Sequence, residues 1–89
     1  MEEVIAVKCT RKGEVKGVDV LIVFEKEPDK KPVSVQMSMN GKGENTFYSN
    51  ANYNVTNKNL SLFVSDLQFA SVACEIATSQ ANSIIEEFN

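Results

Sequence analysis

The amino-acid sequence predicts an α+β fold: an antiparallel five-stranded β-meander followed by one C-terminal amphipathic helix packed on one face of the sheet. Two observations carry this reading. Apolar residues recur at every second position up to Val64, and at every third and fourth from Leu67 to Phe88. These are the periods of a strand with one dry face and of a helix with one dry stripe. Breaks rich in Gly, Pro, Asn and charge then divide the first part into strand-length pieces. Ser65-Asp66-Leu67-Gln68 stands where the period changes. It fits a capping box, in which the Ser and Gln side chains satisfy backbone N–H groups left free at a helix start.

Residues 4–10 are the first expected strand, with Ile5, Val7 and Cys9 on one side and Ala6, Lys8 and Thr10 on the other. Arg11-Lys12-Gly13-Glu14 is the expected turn, because Gly13 can take positive φ and the charges favour water. Residues 15–26 form the second strand. Val18, Val20, Ile22 and Phe24 share one face, while Leu21 and Val23 lie on the other, as in a strand that is central or covered on its back. Glu27-Pro28-Asp29-Lys30-Lys31-Pro32 breaks the pairing twice and is expected as an exposed, mobile connection.

Residues 33–39 alternate, with Val33, Val35, Met37 and Met39 inward and Ser34, Gln36 and Ser38 outward. Asn40-Gly41-Lys42-Gly43 is the strongest hairpin signal, since Asn-Gly favours the type I′ turn that matches strand twist. In residues 46–56, Phe47, Ser49, Ala51, Tyr53 and Val55 take one face and Tyr48, Asn50, Asn52, Asn54 and Thr56 the other. Asparagine is a poor strand former, so this segment is expected at a sheet edge or partly irregular. Asn57-Lys58 turns into the fifth strand, residues 59–64, with Leu60, Leu62 and Val64 on one side and Phe63 on the other. The helix carries Ala70, Ala73, Cys74, Ala77, Ala81, Ile84 and Phe88 along a stripe widened by Phe69, Ile76 and Ile85. Small residues in its first half let a helix lie close on a sheet.

Composition bounds the rest. The chain has 89 residues, which makes one domain over 1–89 with no room for a second core. A net charge of -3 argues against a dedicated phosphate-backbone binder, which usually carries a basic surplus. No apolar run approaches the ~20 residues that span a bilayer. Met1-Glu2-Glu3 lacks the basic start of a signal peptide, so no membrane contact and a cytoplasmic location are expected. Cys9 and Cys74 are read as small core thiols rather than a disulfide. Asn54-Val55-Thr56 and Asn59-Leu60-Ser61 match the glycosylation pattern by accident, given no secretory signal.

Chemistry is sparse. The chain has no histidine, which removes the commonest general base, nucleophile partner and zinc ligand. Two widely separated cysteines do not make a structural metal site, and Gly41-Lys42-Gly43 is too short to cradle a phosphate. No cofactor, no metal and no enzymatic activity are expected.

The better clue is the back of the sheet, where a single helix leaves Leu21, Val23, Tyr48 and Phe63 uncovered. These are the expected contact anchors for another protein, with Asn50, Asn52 and Asn54 as polar rim. The corresponding function is a small protein-binding module: an inhibitor, adaptor or accessory subunit, including the kind of inhibitor that a phage or mobile element directs at a host enzyme. Two alternatives stand beside it. One is a weak single-stranded nucleic-acid binder, with Phe47, Tyr48 and Tyr53 stacking on bases and Lys8, Lys12, Lys16, Lys42 and Lys58 alongside. The other is a homodimeric structural protein joined through the back of the sheet.

Overall fold

Alternation at period two decides which side of each strand is dry, and the sheet follows it strand by strand. The computed structural model describes residues 6–44 and 46–88. Its elements are β1 (Val7–Val15), β2 (Val18–Lys26), β3 (Ser34–Gly41), β4 (Tyr48–Asn54), β5 (Asn59–Val64), a 3-10 turn (Leu67–Phe69) and helix α1 (Ala70–Glu87). The strands form one antiparallel sheet in sequence order, so the chain is a meander closed by one helix. Val4 and Ile5 of the expected first strand lie outside the described residues. Among the described residues no helix is long and apolar enough to cross a membrane.

Two turns differ from expectation. The first hairpin turns at Lys16-Gly17, both with positive φ (52° and 76°), and Arg11, Lys12, Gly13 and Glu14 belong to β1. Turning at residues 11–14 would leave residues 22–26 without a partner in a strand beginning at residue 4. The observed turn pairs all of β2, from Val15↔Val18 to Val7↔Lys26. Asn40-Gly41 is not the second turn but the end of β3, with the Gly41 N–H donating to the Phe47 carbonyl at 2.9 Å. The reason is register. A two-residue turn at Asn40-Gly41 would set Met39 opposite Lys42 and swing every asparagine of the next strand into the core. The longer loop instead pairs Met39 with Ser49 and keeps the asparagines wet.

Residues 46–56 are likewise not an edge. β4 lies between β3 and β5, and the edges are β1 and β5. Val33, expected inward, lies before β3 and is 64% exposed, its carbonyl accepting from the Val55 N–H at 2.8 Å. Pro32, expected in the exposed connection, is buried.

The helix start also departs from the expected capping box. Asp66, not Ser65, caps the 3-10 turn that leads into α1, its carboxylate accepting from the Gln68 N–H at 3.0 Å, and α1 itself begins after Phe69 with no side-chain cap. The Ser65 hydroxyl oxygen accepts instead from the Tyr48 N–H at 2.9 Å, which extends the β4–β5 pairing by one rung. The buried stripe of α1 is Ala73, Ile76, Ala77, Ala81 and Ile84. It turns toward Ile76 and leaves Cys74 in solvent, so that thiol is not a core residue as expected; Cys9 is half-buried, and both thiols are free.

Burial joins these elements. Val18, Val20, Ile22, Phe24, Val35, Met37, Met39, Phe47 and Ala51 form the sheet side of the core. Ala73, Ala77 and Ala81 let the helix approach closely over β3, β4 and β5. Phe69 stacks on Phe47 with ring centroids 4.9 Å apart, and Phe88 meets the Phe24 ring edge-on at 5.6 Å. Ser49 is fully buried among these residues, and its hydroxyl donates to the Phe63 carbonyl at 2.6 Å.

Two ion pairs tie the helix to the first hairpin, Lys16 with Glu75 and Arg11 with Glu87. The second is bidentate, with its longer arm at 2.8 Å, and the guanidinium also lies 5.3 Å from the Phe24 ring centre. Its hydrogen bonds to Arg11 hold the Glu87 carboxyl below its ordinary pKa, and those to Glu87 raise that of Arg11.

Two outcomes are expected. Ala77→Leu overfills a fully buried helix–sheet contact and lowers unfolding free energy by about 1–3 kcal/mol in urea denaturation. Glu87 has a lowered folded pKa, so its stabilisation is complete above the unfolded pKa and is lost as pH falls through the folded one. Glu87→Gln is therefore less stable than the parent at neutral pH, and the difference closes in acid when both are unfolded by denaturant across that range.

Candidate interaction surface

The face turned away from α1 is set by the same registers. Its rows read Lys8, Thr10, Lys12 and Glu14 on β1, then Asp19, Leu21, Val23 and Glu25 on β2. Ser34, Gln36, Ser38 and Asn40 follow on β3, Tyr48, Asn50, Asn52 and Asn54 on β4, and Asn59, Ser61 and Phe63 on β5. The face thus divides in two. All its formal charges lie on β1 and β2, where the Lys42 ammonium also bridges Glu14 at 3.0 Å and Asp19 at 2.9 Å. Those hydrogen bonds, to Asp19 first and then Glu14, raise the pKa of Lys42. Across β3, β4 and β5 every outward position is Ser, Asn, Gln, Tyr or Phe.

This half is organised internally. The Ser38 hydroxyl donates to Asn50 Oδ1 at 3.3 Å, and Asn50 Nδ2 donates to the Tyr48 hydroxyl at 2.6 Å. The Tyr48 ring then tilts against Phe63, with centroids 6.4 Å apart. A shallow depression lies beside this chain of contacts, lined by Gln36, Ser38, Asn50, Asn52, Ser61 and Phe63. Tyr48 and Phe63 are 44% and 56% exposed, so an aromatic pair stands at one corner of an amide-rich field. The arrangement offers donors, acceptors and two π faces without a net field.

The expected anchors separate into two groups. Tyr48, Asn50, Asn52, Asn54 and Phe63 sit together on adjacent strands. Leu21 and Val23 face the same side but are half-buried, and they pair with Ser38 and Gln36. The polar rows of β3 and β4 lie between them and Phe63, a gap of about 14 Å at ordinary strand spacing. The apolar residues are two islands and not one patch. The residues that sequence reasoning left out, Gln36, Ser38 and Ser61, were each placed outward by alternation. Only strand order and register bring them beside the asparagines.

The tyrosines considered for base stacking do not share a platform. Tyr48 is on the open face and Tyr53 packs against the core under the helix, as does Phe47. Of the nearby lysines, Lys16 and Lys42 are engaged with carboxylates. Among the described residues, no three cysteine or acidic side chains converge as a metal-binding group. No protein-family model, curated protein or solved structure matches this chain.

Asparagine is a costly choice for an internal strand when threonine would serve a solvated face equally well. Asn52→Thr should raise unfolding free energy by roughly 0.5–1 kcal/mol, read from urea denaturation. A drop in stability would show instead that Asn52 serves the sheet.

Proposed function

We propose that this chain is a small non-enzymatic protein-binding module, an inhibitor, adaptor or accessory subunit, whose contact surface is the uncharged half of the open face. One observation carries the proposal. A chain with 21 charged residues, the sum of 9 basic and 12 acidic, places none of them outward on β3, β4 or β5. Those positions hold amides, hydroxyls and an exposed aromatic pair. A face that is merely solvated usually carries charge and strand-favouring residues. Here local strand preference is set aside in an internal strand, the kind of departure that folded domains make at working surfaces.

Tyr, Ser and Asn are also the residues that give adaptable protein-binding surfaces their contacts. The aromatic ring supplies area at little entropic cost, and the amides supply hydrogen bonds. Tyr48 and Phe63 are the anchors and Asn50, Asn52 and Asn54 the polar surround, with Leu21 and Val23 a secondary apolar contact. The absence of histidine and of any recognisable nucleophile and base pair in the sequence supports a binding role over a catalytic one.

The test is capture of partners from the native host's lysate on the purified tagged protein, with a nuclease-treated control. A stoichiometric protein partner is expected to survive nuclease. Tyr48→Ala combined with Phe63→Ala should weaken it at least tenfold, about 1.4 kcal/mol, while the thermal midpoint stays near that of the parent. Retention only through nucleic acid, or equal binding by the double variant, would overturn this reading.

A further inference from the structure

A meander has two edge strands, and here they are built differently. β1 carries Lys8, Arg11, Lys12 and Glu14, the charged guard that keeps an open edge from pairing. β5 carries no charged residue, no proline and no glycine. Its register against β4 runs unbroken from Asn54↔Asn59 to Ser49↔Val64, so no bulge twists it away.

The hydrogen-bond pattern shows which backbone groups that edge presents. The Gly41 N–H bonds the Phe47 carbonyl and the Val55 N–H the Val33 carbonyl, so odd-numbered positions along β4 face β3. The Ser65 N–H bonds the Tyr48 carbonyl, so even-numbered positions face β5. Alternation along the ladder then turns the N–H and C=O groups of Leu60, Leu62 and Val64 away from the sheet. Among the described residues no strand lies along them. Exposed apolar side chains gather at the same place: Leu60 and Phe63 on β5, Tyr48 beside it, and Leu67, 88% exposed, just past its end.

We propose that β5 is the docking edge for a second copy of this chain. The two β5 strands pair antiparallel about a two-fold axis at Leu62, giving one continuous sheet across both protomers. The sequence of β5 is complementary to itself in that register. Leu60 meets Val64 of the second copy and Leu62 meets its counterpart, so the row that continues the core meets an equally apolar row. All three are the outward-turned positions, so each pair exchanges both of its backbone hydrogen bonds. On the open side Ser61 lies opposite Phe63, and the two Phe63 rings become diagonal neighbours across the axis.

Charge points to the same occupant. A copy of this acidic chain can approach along β5 without bringing like charges together, because neither β5 nor the open-face rows beside it carry any. A strongly charged foreign strand finds no counter-charge within β5 itself. The inference does not rest on the binding-module reading, since the edge uses backbone groups and the face uses side chains. Five paired residues on each strand, Leu60 to Val64, bury less than a standard interface, so the dimer should dissociate on dilution.

Sedimentation velocity from about 5 to about 500 µM tests this, the range over which a small interface exchanges between monomer and dimer. A sample mixed from two isotopic labels then reports register. The expected result is a dimer that grows with concentration and a close Hα–Hα contact between Ser61 of one copy and Phe63 of the other. Leu60→Lys, at an exposed position, should weaken association at least tenfold with helix and sheet content unchanged by circular dichroism. Ser61→Lys provides the same test at the open face should Leu60→Lys unfold. A monomer throughout the range overturns the proposal, as does a dimer that lacks the contact or survives a folded lysine variant. Continued capture of the protein partner by monomeric Leu60→Lys, whose side chain lies on the helix side and leaves the open face unchanged, would leave the binding-module reading standing by itself.

Discussion

One helix can dry only one face of a five-stranded sheet, and the rest of the molecule is arranged around that limit. The helix-side face concentrates Val18, Val20, Ile22, Phe24, Val35, Met37 and Met39, and α1 lies over it on alanines. Close approach matters because dispersion contacts fall away within an ångström of separation. Ala73, Ala77 and Ala81 bring the helix down, while Ile76 and Ile84 fill the space at its sides. The helix sits over β3, β4 and β5, and its link to the first hairpin is made by Phe88 against Phe24 and by the pairs Arg11–Glu87 and Lys16–Glu75. Exposed ion pairs contribute little stability one by one. Their role is to orient the hairpin and helix that the aromatic contact holds.

The uncovered face must tolerate water, and it does so in two ways. On β1 and β2 it uses charge, with Lys42 bridging Glu14 and Asp19. On β3, β4 and β5 it uses amides, hydroxyls and two rings, linked from Ser38 through Asn50 to Tyr48. The same division reaches the edges: the charged strand ends the sheet on one side and the uncharged strand on the other. The uncharged surface and the uncharged edge therefore lie next to one another on the same side of the molecule.

The face assignment of each strand was legible in the sequence because alternation is a local property. Val20 and Val23 fall on opposite sides whatever the partner strand is. The turns were less legible. Asn40-Gly41 carries the stronger local preference for a tight turn, yet taking it would bury Asn50 and Asn52 and expose Phe47 and Ala51. The cost of wetting that core and burying amides exceeds any turn preference. Lys16-Gly17 supplies the two-residue turn with less favourable chemistry because it lets β2 pair along its whole length. Cys74 failed for a related reason: the helical period places it next to the buried stripe, and only the angle at which α1 meets the sheet decides on which side it falls.

By itself the sequence determined the five strands, the single helix, the dry side of each strand and the outward position of Asn50, Asn52 and Asn54, all of which follow from side-chain periodicity within short segments. Tertiary structure decided what those segments are next to. Register put Gln36, Ser38 and Ser61 beside the asparagines and set Leu21 and Val23 apart from Phe63. Strand order made the asparagine strand internal and left β5 as an edge. These outcomes depend on pairings between residues far apart in the chain, which are chosen by the joint burial of the whole core and are invisible to any one stretch of sequence.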